Sequence, residues 1–281
     1  MKAIKDDFRN FLFLCWKHLS LPDPTPVQYD MASFIQHAPK RAVIQAFRGV
    51  GKSWICSAFV CWKLLNNPDL KFLVVSASKN RADDFSTFTK RLIGEMEVLK
   101  HLTPKDNQRG SNVSFDVALA KASHAPSVKS VGITGQLTGS RADYIISDDC
   151  ESLNNSLTQT MRDKLSSSIK EFEAVLSPNG KILFLGTPQS EMSMYNDLGN
   201  RGYTTRIWTA RKPLAKDNKK YEGKLAPYIT ESSLEEGSPI DPKRFTDLDL
   251  KEREASYGRS GFSLQFMLDT TLSDKDRYPL K

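Results

Sequence analysis

The stretch AVIQAFRGVGKSWICSAFVCW, residues 42–62, decides the fold. An apolar run ends in a glycine loop, and a helical pattern follows from Lys52 to about Leu65, stopping at Asn66-Asn67-Pro68-Asp69. Strand, glycine loop and helix in that order aim the backbone N–H groups of the helix start at an anion. Ala46-Phe47-Arg48-Gly49-Val50-Gly51-Lys52-Ser53 follows the phosphate-loop pattern with one change. Alanine stands where the first glycine is usual. Gly49 and Gly51, flanking Val50, still let the backbone approach a phosphate. In such a loop Lys52 reaches the outer phosphates and the Ser53 hydroxyl holds Mg²⁺. Arg48 is an unusual cation inside the loop. It lies on the γ-phosphate, on a carboxylate across the site, or in solvent, and these readings stay open.

Outward from the loop, buried-strand and helical patterns alternate. RAVIQAF (41–47), KFLVVSAS (71–78), ADYIIS (142–147) and KILFLG (181–186) read as buried strands, and YTTRIWTA (203–210) as one more. VSFDV (113–117) and KSVGIT (129–134) alternate as sheet strands do. Residues 80–99, with Asn80 as cap, and 156–176 have helical spacing. This order predicts an α/β fold with a mostly parallel central sheet flanked by helices. After Ala210 the chain turns polar and proline-containing, with helical patterns near 247–257 and 261–268. The division expected is a core at 1–210 and a smaller lid subdomain with linker at 211–281.

A phosphate loop needs a carboxylate at a neighbouring strand end to hold Mg²⁺, and DYIISDDCE (143–151) supplies it. Asp148 is the metal-side candidate. Asp149 takes the place of the acid that orients the attacking water, and Glu151, with its longer arm, is a rival. Acids this close together are costly unless a cation is near. Thr187, at the tip of FLGTP (184–188), is placed to sense the γ-phosphate. Gln28, ahead of the first strand, offers a carboxamide that suits adenine N6 and N7, which makes ATP the nucleotide expected. Arg141, just upstream of the acidic strand, either stabilises phosphoryl charge, in its own chain or in a neighbouring one, or pairs with Asp143 or Asp149.

The 281 residues are 39% hydrophobic and 26% charged, ordinary globular values. No apolar run approaches the roughly 18 residues of a membrane span, and the N-terminus reads as one amphipathic helix rather than a signal peptide. Cys15, Cys56, Cys61 and Cys150 have apolar neighbours and no CxxC spacing, so reduced core residues are expected. The histidines lack metal-ligand spacing. A net charge of +7 favours a polyanionic partner.

AFRGVGKS, VVSASKNRAD, SVKSVGITGQLTGSRADYIISDD, FLGTPQ and GFSLQFML occur in this order. Together they resemble the large subunit of phage terminase, in the form found in short-tailed podoviruses, over almost the whole chain. The resemblance implies a RecA-like, additional-strand P-loop NTPase core with a small C-terminal lid subdomain. It implies an ATPase that uses ATP and Mg²⁺ to drive double-stranded DNA into a procapsid. The implied partners are the DNA, the portal protein, the small terminase subunit and further copies of the chain in a ring, usually of five. The implied place is the cytoplasm of the bacterial host, with no membrane. Family roles fall on Lys52 and Ser53 for phosphate and Mg²⁺, Asp148 for Mg²⁺, Asp149 for catalysis, Thr187 for coupling and Gln28 for adenine. The usual second acid is glutamate; here it is Asp149, one carbon shorter, so Glu151 stays in contention.

Large terminases also carry a C-terminal nuclease with clustered carboxylates, and the sequence stops about where that domain begins. An ATPase-domain fragment is therefore expected. A helicase-like translocase shares the glutamine, loop and acidic box, but calls for a second RecA-like core. A non-hydrolysing, nucleotide-gated DNA clamp does not need the second acid.

Overall fold

The computed structural model describes residues 1–271; the end of the expected lid and linker segment lies outside the described residues. The N-terminus is two helices, α1 (Lys2–Asp6) and α2 (Phe8–His18), rather than one. Asp7 divides them, because its extended backbone and its side chain, accepting from Arg9 N, cap α2. Next come α3 (Pro26–His37), β1 (Arg41–Ala46), α4 (Lys52–Asn66), β2 (Phe72–Ser76) and α5 (Lys79–Glu95). Then follow β3 (Ser114–Phe115), β4 (Val128–Gly132), β5 (Ala142–Asp148), α6 (Leu153–Ser156), α7 (Gln159–Val175) and β6 (Leu176–Gly186). The chain continues through α8 (Met194–Asp197), β7 (Thr204–Trp208), α9 (Pro227–Thr230) and α10 (Asp247–Gln265).

Among the described residues the strands form one sheet in the order β3-β4-β2-β5-β6-β1-β7. Only the short β3 runs antiparallel to its neighbour. The parallel strands therefore bring their carboxyl ends to one edge, where ligands of open α/β sheets bind. Alternate side chains sort to two faces. Ala42, Ile44, Phe72, Val74, Leu183 and Leu185 join the layer of α2, α3, α4 and α5. Val43, Leu73, Val75, Ile145, Ile182 and Phe184 pack with Leu165, Ile169 and Phe172 of α7. Burial on both faces explains why these strands read as continuous apolar runs.

Among the described residues the segment after Ala210 has no separate core. Leu225, Ile229, Ile240, Phe245, Leu250, Phe262 and Phe266 belong to the same cluster as α2 to α4. Backbone bonds tie it down: Ala210 N donates to Phe266 O at 2.8 Å and Ile240 N to Ala210 O at 3.0 Å. Gly258, at φ 70° and ψ 165°, breaks α10 between the two helical patterns read from the sequence.

One local reading is corrected. The cap of α5 is Ser78, whose Oγ accepts from Arg81 N, and not Asn80, which lies inside the helix. Gln28, ahead of β1, occupies the first turn of α3, in a capping box with Thr25 and with Pro26 at the first helical position.

Candidate nucleotide site

Ala46 is the last residue of β1, with no left-handed backbone to accommodate. Glycine is therefore not required there, and the altered first position costs nothing. Left-handed conformation is needed further on, at Gly49 (φ 92°) and at Gly51 (φ 96°), which caps α4. A Cβ on Gly49 would also sit 2.9 Å from the Phe245 ring.

Lys52 opens α4 and is buried. Its Nζ donates to Ala46 O at 2.8 Å and to Thr187 Oγ1 at 3.0 Å. Burial lowers its pKa, against the opposing pull of Asp149 and Asp148. The Thr187 hydroxyl donates in turn to Ala46 O at 3.1 Å, so the tips of β1 and β6 are joined through this lysine and threonine. Ser53 Oγ donates to Asp148 Oδ1 at 2.9 Å. Burial, reinforced by the Asp149 charge, pushes the Asp148 carboxyl up to about 7.

The two rival acids differ sharply. Asp149 holds a left-handed backbone (φ 46°), with its N–H on Leu185 O at 2.9 Å. It lines both halves of the cleft, and its carboxylate accepts no hydrogen bond from the described residues. Glu151 is 2% exposed and saturated. It accepts from Gln189 N at 2.8 Å, Ser193 Oγ at 2.9 Å and Met194 N at 2.7 Å. Burial raises its pKa against those three bonds. Glu151 thus ties down the segment after Thr187-Pro188.

Gln28 is also fully engaged. Its Oε1 accepts from Thr25 N at 3.0 Å and its Nε2 donates to Val50 O at 2.9 Å, bracing the phosphate loop. Arg48 turns toward the end of α10, where Nε and Nη2 donate to Gln265 Oε1 at 3.1 and 2.8 Å. Arg48 is thus exposed at the cleft, with its guanidinium on a carboxamide rather than on a carboxylate.

Arg141 is not brought to the site. It precedes β5, whereas Asp148 ends it, and a strand of that length separates them by about 20 Å. Its Nη1 donates to Ser140 O and Ala174 O, both at 3.2 Å, and it pairs with neither Asp143 nor Asp149. In this arrangement its guanidinium does not reach a nucleotide bound by its own chain. Of the other basic loop residues, Arg109 is committed to Asp116 and to the carbonyls of Ser123 and His124.

Residues at the site that escaped the sequence reading include Arg81, Trp54, Arg244 and Gln265. Arg81, in the first turn of α5, and Trp54, packed at a tilt against Phe88, line the half beside the acids. Arg244 donates to Gly49 O at 3.0 Å in the other half, beside Trp16 and Gln28. Arg81 was within reach as the lone arginine just past the cap of a helix that follows a buried strand. The others had no local signal.

The two halves measure about 690 and 410 Å³ and share Arg48, Ser53, Trp54 and Asp149. They suit a ligand with a phosphate chain between a polar, acidic end and a more apolar one. Ser53 and Asp148 offer a hydroxyl and a carboxylate side by side, which fits Mg²⁺ carried in with phosphates and water. No group of three or more His, Cys, Asp or Glu suited to holding a metal by itself occurs among the described residues. All four cysteines are buried and free.

Strand, left-handed glycine loop, buried lysine and serine–aspartate pair at the carboxyl edge define a phosphate-loop α/β nucleotide-binding domain. Comparisons with known proteins narrow this. Residues 44–198 match the family described as terminase large subunit, T4likevirus-type, N-terminal. The chain is 51% identical to the terminase large subunit of Enterobacteria phage T3, over 99% of this chain and 49% of that protein. It thus spans about half the length of that relative. A point mutant of the Thermus phage P74-26 large terminase ATPase domain shares the fold, with TM-score 0.52 at 16% identity, covering 90% of this chain and 96% of that one. The HK97 bacteriophage large terminase also aligns with TM-score 0.52, at 11% identity, over 87% of this chain and 50% of that one. This chain belongs to the terminase large-subunit family.

Proposed function

We propose that this chain hydrolyses ATP to drive double-stranded viral DNA into a procapsid. The observation that carries the reading is the joined set Lys52, Thr187, Ser53 and Asp148 at the carboxyl edge, in a chain that belongs to the terminase family. Lys52 and the amides of Gly49, Val50 and Gly51 hold the phosphates, and Gln28 braces that loop on the adenine side. Mg²⁺ held by Ser53 and Asp148 offsets phosphate charge when bound. Asp149, with its free carboxylate, aligns water on the γ-phosphate and takes its proton. Glu151 keeps the Thr187-Pro188 segment in place. Loss of the γ-phosphate is felt at Thr187 and Arg48. Arg141 serves the site of a neighbouring copy in a ring, such as the pentamer the family resemblance implies.

The segment 211–281 acts as the lid that moves with nucleotide state. Its packing on the phosphate loop through Phe245 and Arg244 supports that coupling. The portal, the small terminase subunit and the cytoplasm of the bacterial host complete the setting. DNA is gripped through backbone phosphates, because a packaging motor must not depend on sequence.

The test is ATP turnover per chain against protein concentration, with and without double-stranded DNA, using Lys52→Ala as blank. The expectation is Mg²⁺-dependent turnover, stimulated by DNA of any sequence and weakened by salt, with Lys52→Ala lower by on the order of 10³-fold. A Lys52→Ala variant as active as wild type would overturn the site. Stimulation by one sequence alone would overturn the motor.

A further inference from the structure

Gln265 is the last residue of α10 and 7% exposed, and its carboxamide is used at both ends. Oε1 accepts twice from the Arg48 guanidinium, at 3.1 and 2.8 Å. Nε2 donates to Pro188 O at 2.5 Å. Its backbone carbonyl also accepts from Arg48 N at 3.3 Å. One side chain therefore joins the phosphate loop, the tip of β6 beside Thr187, and the end of the C-terminal helix. The chemistry selects a carboxamide. The guanidinium needs an acceptor and Pro188 O needs a donor, and among uncharged side chains of that reach only glutamine supplies both.

These bonds hold Arg48 toward α10, although Arg48 lines both halves of the cleft with Asp149. A phosphate oxygen is a stronger partner for a guanidinium than a neutral amide oxygen, because the attraction of opposite charges adds to the hydrogen bond. Bound triphosphate and Gln265 therefore compete for one arginine. We propose that Gln265 is the positioning residue of this site. It is a latch that holds Arg48 off the γ-phosphate, and it passes the departure of Arg48 to Pro188 and to the end of α10. The inference rests on the nucleotide reading above and goes beyond it by naming the residue that opposes the nucleotide.

Competition has a signature that a packing role lacks. Gln265→Leu removes the competitor, and Gln265→Glu gives Arg48 a charged competitor while giving up the bond to Pro188 O. The two variants move triphosphate affinity in opposite directions, and neither moves it once Arg48 is gone. The experiment is titration of a fluorescent non-hydrolysable ATP into the full chain. It compares wild type, Gln265→Leu, Gln265→Glu, Arg48→Ala and both double variants, with melting curves for each. Gln265→Met replaces the leucine variant if that one does not fold. The expected Kd falls about 3- to 10-fold in Gln265→Leu and rises on the order of tenfold in Gln265→Glu. In the Arg48→Ala background both effects vanish. Shifts of the same sign, no shift, or shifts that persist without Arg48 would overturn the latch and leave the nucleotide site standing. No binding of the probe by folded wild type would overturn the nucleotide reading, and the latch with it.

Discussion

The two edges of the parallel sheet are built differently. At the carboxyl edge Lys52, Asp148 and Thr187 are buried, with Lys52 bonded to Thr187 and Asp148 to Ser53. At the amino edge Arg141 is exposed and Lys129 donates to Ser140 Oγ at 3.0 Å, with no carboxylate engaged. Arg141 and Asp148 are seven positions apart on one stretch of chain yet stand at opposite edges, whereas Gln28 and Val50, or Arg48 and Gln265, are remote in sequence and in contact. Strand direction, not proximity along the chain, decides which charged groups can act together.

The sharpest way to break this comparison is at the paired acids. Asp149→Asn is expected to lower turnover on the order of 10²- to 10⁴-fold, with the melting temperature nearly unchanged, because its carboxylate holds nothing in place. Glu151→Ala is expected to lower the melting temperature by about 5–10 °C, through three lost buried acceptor contacts. Turnover and thermal melts on both variants check this. A stable, inactive Glu151→Ala beside an active Asp149→Asn would exchange the two roles.

Arg141→Ala probes the amino edge with a smaller expected effect. In dilute solution, where chains act alone, turnover stays within about twofold of wild type, since the guanidinium stands about 20 Å from its own site. At concentrations where specific activity rises through self-association, the variant fails to rise. A large loss in dilute monomer would mean that the edges communicate within one chain.

The smallest effect concerns the carboxyl edge alone. Asp148 is held well above its ordinary value, up to about 7, so its charged form is disfavoured in the folded state. Its contribution to stability is complete below the unfolded carboxylate range near 4 and is lost as pH rises through about 7. Without Mg²⁺, Asp148→Asn is expected to match wild type near pH 4 and to exceed it by on the order of 1–3 kcal/mol at pH 8. Denaturant melts at both pH values measure this. Equal stability at pH 8 would show that the buried carboxyl carries no such cost.

Much of this was legible along the chain. Strands β1, β2, β5 and β6 announced themselves as apolar runs, because burial on both faces removes the polar alternation. The phosphate loop and Asp148 were readable because their chemistry needs fixed spacing next to a strand. The break in α10 was readable as the gap between the helical patterns near 247–257 and 261–268. Helix α3 was passed over although its Thr-Pro-Val-Gln start carries a capping box, a signal that depends on reading side chains against the backbone.

The sequence by itself determined the parallel α/β class, the loop that meets phosphate and the candidate metal-side acid, since each follows from local pattern and spacing. Only the tertiary structure decided that Asp149 is free while Glu151 is saturated, that Arg141 faces away, and that Gln265 holds Arg48. Those outcomes depend on which remote segments meet at the sheet edge, and hydrogen-bond partners that far apart leave no period or motif in the chain.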